Sequence, residues 1–200
     1  MGNILGKNLK MTVAGESHGD YFALIIDNYP CGVKIDCNYI DSCLLERRPQ
    51  FKGETKRVEN DNYKIVSGVF NNYTTGAPIT ILISNENKHS EDYEKNKFLC
   101  RPSHADYTGF MKYHKFNDYR GGGHFSGRLT ALFVVAGSIC DFILDKYGIV
   151  VKSHIKSIGD IYDKQFNKDN IDDIKKDICI LKSKKIKVID NIEEIIGKSF

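Results

Sequence analysis

A chain of 200 residues with 41% hydrophobic content is long enough to bury the core of one compact domain. Its net charge of +3, with no stripe of interleaved aromatic and basic residues, argues against nucleic acid. The longest apolar stretch, around residues 129–139, is interrupted by Thr130 and Gly137 and falls short of the roughly 20 residues a membrane span needs. Met1 is followed by Gly-Asn-Ile-Leu-Gly rather than by a basic region and an apolar run, so no signal peptide is expected and a cytoplasmic location is. Six cysteines, at 31, 37, 43, 100, 140 and 179, form no C-x-x-C pair and no zinc spacing, and are expected to be small buried hydrophobes.

In chain order, residues 9–14 and 22–27 read as strands, the second ending in a turn at Tyr29-Pro30-Cys31-Gly32. Asp36 opens a short helix through about Glu46, with Ile40 and Leu44 on one face, and Pro49 stops it. Residues 50–62 read as a polar loop. Residues 63–70 and 79–84 read as a pair of antiparallel strands joined through Thr74-Thr75-Gly76, and 85–96 as polar loop. Ser126 begins a long helix with Leu129, Leu132, Phe133, Ala136, Ile139, Cys140, Ile143 and Leu144 at helical spacing, closed by Gly148. Residues 149–158 read as a strand. Beyond Gly159 one helix is expected after Asn170, and another is opened by Asn191 with Glu194 in a capping-box arrangement.

Chemistry concentrates between Arg101 and Thr130, where three histidines, three arginines and a glycine triplet share thirty residues. Gly121, Gly122 and Gly123 permit backbone torsions and close approaches that side chains forbid, which suits a loop laid against a flat or phosphorylated ligand at a helix N-terminus. A second cluster, Gly15-Glu16-Ser17-His18-Gly19, follows the first strand. Arg47, Arg48, Arg101, Arg120 and Arg128 lie in or beside these segments, whereas the C-terminal third is basic through lysine. Guanidinium forks suit bidentate capture of carboxylate and phosphate, so the pattern points to a multiply anionic small molecule. His104 and Asp106, two apart, share a face if their segment is extended. They could be half a metal site, but no third and fourth ligand stand at a convincing spacing, and no metal is expected.

These strings resemble the chorismate synthase family. Besides GESHG and RPSHADYT, the chain carries ERRP at 46–49, VEND at 58–61, SGVF at 67–70, TTGAPI at 74–79 and Lys112-Tyr113. The resemblance implies an α+β fold, a sandwich of antiparallel sheets and long helices. It also implies that residues 1–200 are the N-terminal portion of a single longer domain truncated at its C-terminus, which in this family assembles as a homotetramer. The implied activity is the 1,4-anti elimination of phosphate from 5-enolpyruvylshikimate 3-phosphate to give chorismate, the last step of the shikimate pathway, with reduced FMN as cofactor. NADPH enters as the flavin reductant of bifunctional members.

By the same resemblance His18 protonates the departing phosphate, and His104 protonates the reduced flavin or keeps it as its monoanion. Ser17, Arg48, Arg101, Ser126 and Arg128 contact substrate, Arg47 is linked to NADPH, and His124, Phe125 and Ser126 fall on the FMN loop. That loop departs from the family's GGGRSSARET: here Gly121 to Thr130 read GGGHFSGRLT, with His124 for arginine, Phe125 for serine, Gly127 for alanine and Leu129 for glutamate. Asp118 and His114 read equally as structural or functional. The rival readings are a noncatalytic remnant and a plain flavin- or phosphate-binding module; the presence of both His18 and His104 argues against the module, which needs no paired acids.

Overall fold

In this computed structural model, residues 3–49, 59–85 and 99–151 are described, and after them 153, 156–158, 160–162, 165, 167, 169 and 170. The chain divides into two compact units, Met1–Arg48 with Glu59–Tyr147, and Pro49–Val58 with Gly148–Phe200. The strands of the first unit are β1 (Ile4–Leu5), β2 (Lys10–Ala14), β3 (Tyr21–Asp27), β4 (Tyr63–Ser67), β5 (Val69–Phe70), β6 (Tyr73–Thr74) and β7 (Ile79–Ser84). Among the described residues its α-helices are α1 (Cys37–Arg47), α2 (Asp106–Tyr113) and α3 (Thr130–Leu144). In the second unit the described strands are β8 (Ser157–Ile158) and β9 (Ile161–Tyr162), paired antiparallel.

The core is set by period-two patterning on β3 and β7. Phe22, Leu24 and Ile26 alternate with residues that point the other way, as do Ile79, Ile81 and Ile83, and all six are 1% exposed or less. The antiparallel register places Phe22 opposite Ile83, Leu24 opposite Ile81 and Ile26 opposite Ile79, so the six side chains build one continuous apolar face. β2 and β1 extend the sheet on one side and β4 on the other, in the order β1-β2-β3-β7-β4, antiparallel throughout.

Helix α1 starts where the sequence predicts, because the Asp36 side chain accepts a hydrogen bond from the Asn38 backbone N–H at 3.0 Å. Its buried residues are Ile40 and Leu44. Helix α3 buries Ala131, Leu132, Val135, Ala136 and Ile139, the spacing of one helical face, and packs against both α1 and β3. Each large aliphatic side chain removed from water there contributes roughly 1.5–3 kcal/mol. The Tyr29 hydroxyl donates to the Ile139 carbonyl at 2.7 Å and the Tyr39 hydroxyl to Asp141 at 2.8 Å, which fixes α3 along its axis. The helical stretch Arg120–Tyr147 is apolar enough by composition to cross a membrane. Its glycines at 121–123 are non-helical, however, and the α-helix proper has 15 residues with its apolar stripe in the core, so it is read as the core helix of this fold.

Several expectations change in detail. The strand expected over 63–70 breaks at Gly68, whose φ of +82° no β-strand allows and where a Cβ would stand 2.6 Å from Ile79 Cα. The chain there turns out of the sheet into the small β5–β6 hairpin, built on Asn71 and Asn72 with φ of 48° and 64°. Ser126 caps a 3₁₀ turn over Gly127–Leu129, and α3 begins only at Thr130. Of the strand expected over 149–158, Ser157–Ile158 is the part that pairs among the described residues; Ile149, Val150 and Val151 are exposed. The five described cysteines are free thiols and none is buried, because Cys31 lies in a turn and Cys37 at the exposed start of α1. Helix α2 was not expected at all. The loop at 50–58, the polar loop after Asn85 through 96 and both helices predicted after Asn170 fall outside the described residues.

Candidate active site

The turn after β2 and the glycine triplet are built against each other. Ser17 donates its backbone N–H to the Gly123 carbonyl at 2.9 Å, Gly19 closes the turn onto the Glu16 carbonyl at 2.8 Å, and the Asn85 amide holds the carbonyls of Ser17 and Gly19 at 2.7 and 2.9 Å. Ser17 and His18 are buried as a result. Asn85, at the end of β7, escaped the sequence reading; an isolated asparagine after a strand carries no signal of the turn it will clamp.

Gly121, Gly122 and Gly123 adopt φ of 55°, 88° and 53°, the left-handed region in which a Cβ is penalised. A Cβ on Gly121 would stand 2.5 Å from Ser17 Oγ and 2.8 Å from His18 Nε2. One on Gly122 would stand 2.7 Å from His104 Cε1 and 3.1 Å from His104 Nε2. The two histidines, 86 positions apart in sequence, therefore meet consecutive residues of one bare backbone loop. An alanine at Gly122 is expected to displace the His104 ring and to cost about 1–2 kcal/mol in backbone strain. Gly127→Ala, where a Cβ meets nothing within 4 Å, serves as control. Urea midpoints and the His104 ring resonances check both.

Each histidine has an arginine-held carboxylate nearby. His104 Nδ1 lies 2.7 Å from Asp106 Oδ1, and Asp106 receives Arg101 Nε at 2.8 Å. Those hydrogen bonds from Arg101 hold the Asp106 carboxyl far below the usual carboxylate range, although its partial burial opposes them. The expected extended geometry for this pair is replaced by a turn with Ser103 at φ 58°, which still brings the two side chains together. Around His18, burial pushes the Asp118 carboxyl up. The paired bonds from Arg120 Nε and Nη2, at 2.8 and 2.7 Å, and the charges of Arg120 and His18 outweigh it, so Asp118 is lowered.

Both carboxylates are depressed in the folded state, so their stabilisation is complete above the unfolded aspartate value of 3.8 and is lost as pH falls toward the folded values. The urea midpoint is therefore expected to decline steeply below about pH 4. It should decline less steeply in Asp106→Asn.

Arg47, Arg48 and Arg128 engage the segment 59–61, Arg128 buried and the other two part exposed. Arg128 pairs with Asp61 and, at 3.3 Å, with Glu59, and lies over the Phe22 ring with its guanidinium carbon 5.2 Å from the centroid. Arg47 reaches Asp61 at 2.9 Å and Thr130 Oγ1 at 3.4 Å, while Arg48 donates to the Asn60 carbonyl at 2.7 Å. The Nε atoms of Arg48 and Arg128 are buried without an acceptor among the described residues. Ser126 Oγ accepts the Arg128 backbone N–H at 3.3 Å.

Of the four residues where the loop departs from GGGRSSARET, His124 and Phe125 make side-chain contacts with neighbouring elements. His124 Nδ1 contacts the Gly15 carbonyl at 2.8 Å, which requires a proton on that nitrogen, and Nε2 lies 3.1 Å from the Asn3 side chain. Phe125 packs with Tyr113 at 6.1 Å between centroids, and a Cβ on Gly109 would stand 3.0 Å from its ring, so it docks α2. A pocket of about 630 Å³ opens beside this wall, lined in part by Glu16, Tyr113, Asp118, His124 and Phe125. His114 is the left-handed C-cap of α2 and is exposed.

A buried His18 and a half-buried His104 thus meet one glycine loop with arginines around them. The chorismate synthase family model matches residues 9–199. The chain belongs to the chorismate synthase family. It is 47% identical over 162 residues to a chorismate synthase of Dehalococcoides mccartyi, covering 80% of this chain and 44% of that protein. Against a chorismate synthase of Pyrococcus abyssi it is 42% identical over 189 residues, 94% of this chain and 53% of the relative. A crystal structure of chorismate synthase superposes with a TM-score of 0.52 at 29% identity, covering 71% of this chain and 35% of that one. The α+β class follows from that chorismate synthase neighbour and from the helices and antiparallel strands described here. The chain spans about half the length of the curated relatives it matches.

Proposed function

We propose that this chain carries the two-histidine part of a chorismate synthase, a lyase that eliminates phosphate from 5-enolpyruvylshikimate 3-phosphate to give chorismate. The observation supporting this reading is the contact of Gly121 with His18 and of Gly122 with His104, which sets two proton carriers along one loop. The reaction must expel phosphate from an allylic carbon and remove a poorly acidic hydrogen, and this calls for anion binding, orientation and two proton sites.

His18, held by the Ser17 turn beside the glycine loop, gives a proton to the departing phosphate, and the Ser17 hydroxyl orients an oxygen next to it. Arg101, part exposed, and Arg48 offer guanidinium groups to the substrate's anionic groups. Arg128 and Ser126 support the loop from below; engagement of Arg128 by substrate would draw it away from Asp61.

For FMN, the donor set fits at His104 and the glycine loop, where bare backbone and an imidazole edge stand side by side. Reduced FMN, when bound, supplies electron density as the C–O bond breaks and recovers it as the hydrogen leaves. His104 holds or moves a proton at Nε2 on that side. His124 and Phe125 support the loop through Gly15 and Gly109 in this conformation, so their part in FMN binding is indirect. A role for NADPH as reductant rests on the resemblance at Arg47, whose guanidinium is paired with Asp61, and assembly as a homotetramer and a cytoplasmic location rest on the resemblance and composition alone.

The test is anaerobic turnover of 5-enolpyruvylshikimate 3-phosphate by the 200-residue chain with photoreduced FMN, following chorismate absorbance and released phosphate. Product supports the reading, as does a folded but silent chain rescued by the C-terminal half of a relative. Silence in both preparations overturns it and leaves the noncatalytic remnant.

A further inference from the structure

We propose that Asp106 is a positioning residue that fixes the tautomer and ring orientation of His104, so that the Nε2 edge is the one presented to the glycine loop. Asp106 opens α2, and the turn over residues 101–105 folds the chain back so that its carboxylate faces both Arg101 and His104. Three hydrogen bonds arrive from Arg101: its backbone N–H at 3.0 Å, Nε at 2.8 Å and Nη2 at 2.9 Å. The carboxylate is thus immobile before the histidine is considered.

His104 Nδ1 has two close neighbours, Asp106 Oδ1 at 2.7 Å and Arg101 Nη2 at 3.2 Å. If Nδ1 were bare, it could accept from Arg101, but its lone pair would then face an ionised oxygen at 2.7 Å. With a proton on Nδ1 the shorter contact becomes a charge-assisted hydrogen bond, and Arg101 Nη2 keeps its bond to Asp106. The arrangement therefore selects Nδ1–H, the opposite of the tautomer that free imidazole side chains favour in water. Nε2 is left to hold or release a proton, and with Cε1 it forms the ring edge beside Gly122, where a Cβ would stand 2.7 Å from Cε1 and 3.1 Å from Nε2. Arg101 enters the same assignment as the group that locks Asp106, in addition to whatever anion it meets.

The inference rests on the reading of His104 as a proton carrier, and two readouts keep the two apart. The first is the ¹⁵N spectrum of the histidine-labelled 200-residue chain under conditions where His104 is neutral. The wild type is expected to show a protonated Nδ1 and a bare Nε2. Asp106→Asn, whose amide can donate to Nδ1, is expected to shift His104 toward the Nε2–H form, and Asp106→Glu to restore Nδ1–H. A wild-type His104 in the Nε2–H form, or an unchanged tautomer in a folded Asp106→Asn chain, overturns the proposal; the wild-type spectrum decides even if the variant does not fold.

The second readout is turnover in a competent preparation of the chain, with the complementary half if that is required. Asp106→Asn is expected to lower kcat on the order of a hundredfold or more with KM for substrate little changed, and to add nothing to His104→Ala. A tautomer shift without loss of kcat, in an enzyme that His104→Ala disables, overturns the positioning role. If His104→Ala itself leaves turnover intact, the reading of His104 fails and with it the catalytic purpose of Asp106.

Discussion

Replacing Asp61 by alanine is expected to destabilise the chain by about 3–5 kcal/mol, a large share of the roughly 5–15 kcal/mol available to a domain. The Asp61 side chain is fully buried and binds two guanidinium groups at once, Arg47 on one oxygen and Arg128 on the other. Arg128 is itself only 7% exposed and lies over Phe22, so it cannot swing to water when its partner is removed. Two cations and two carboxylates, Asp61 and Glu59, balance in the wild type. Alanine leaves two cations facing Glu59 alone, and the cost is that of a stranded buried charge rather than of one lost bond. Arg47→Ala, which removes the more exposed cation, is expected to cost less. Asp61→Leu combined with Arg128→Met should recover part of the loss, because it removes one buried charge of each sign, while Glu59 loses its bond from Arg128 and Arg47 its bond to Asp61. Urea midpoints of the three variants decide it; an Asp61→Ala midpoint equal to wild type would mean that water reaches the network.

This network also marks where the sequence stopped being legible. The strands and α1 could be read because their signals are local: alternating Phe22, Leu24 and Ile26, or Asp36 one residue before a helix. Helix α2 was missed because Ala105 gives it no capping hydrogen bond and Gly109 sits mid-helix, where glycine argues against a helix; its stabilisation is tertiary, through Phe125 on Gly109. The arginines were read as anion-binding groups because a guanidinium in a motif looks free on paper. Nothing in the spacing of VEND announces that Asp61 lies between Arg47 and Arg128. The pairing of Ser17 with Gly123 and the clamp by Asn85 are likewise long-range contacts, which no window on the sequence contains. The histidines and glycines were legible as a set, and their face-to-face contact is what the fold added.

His18→Gln is expected to lower turnover of 5-enolpyruvylshikimate 3-phosphate by about 10²–10⁴-fold, the usual scale of a removed general acid, while leaving the fold intact. Glutamine is the informative replacement because His18 is buried between Ser17 and the Gly121 backbone, and alanine would add a cavity whose cost confuses the result. Glutamine fills the space and can donate a hydrogen bond, but it cannot deliver a proton. A wild-type urea midpoint together with lost turnover assigns the effect to proton transfer, and nearly unchanged FMN affinity would separate it from damage on the His104 side of the loop. The neighbouring carboxylate offers a second check. Part of what lowers Asp118 is the charge of His18, so the variant should raise the Asp118 carboxyl from its depressed position, visible in its ¹³C titration, with Arg120 limiting the change. Full turnover by His18→Gln would remove His18 from the chemistry and leave it a wedge that spaces the Ser17 turn from the glycine loop.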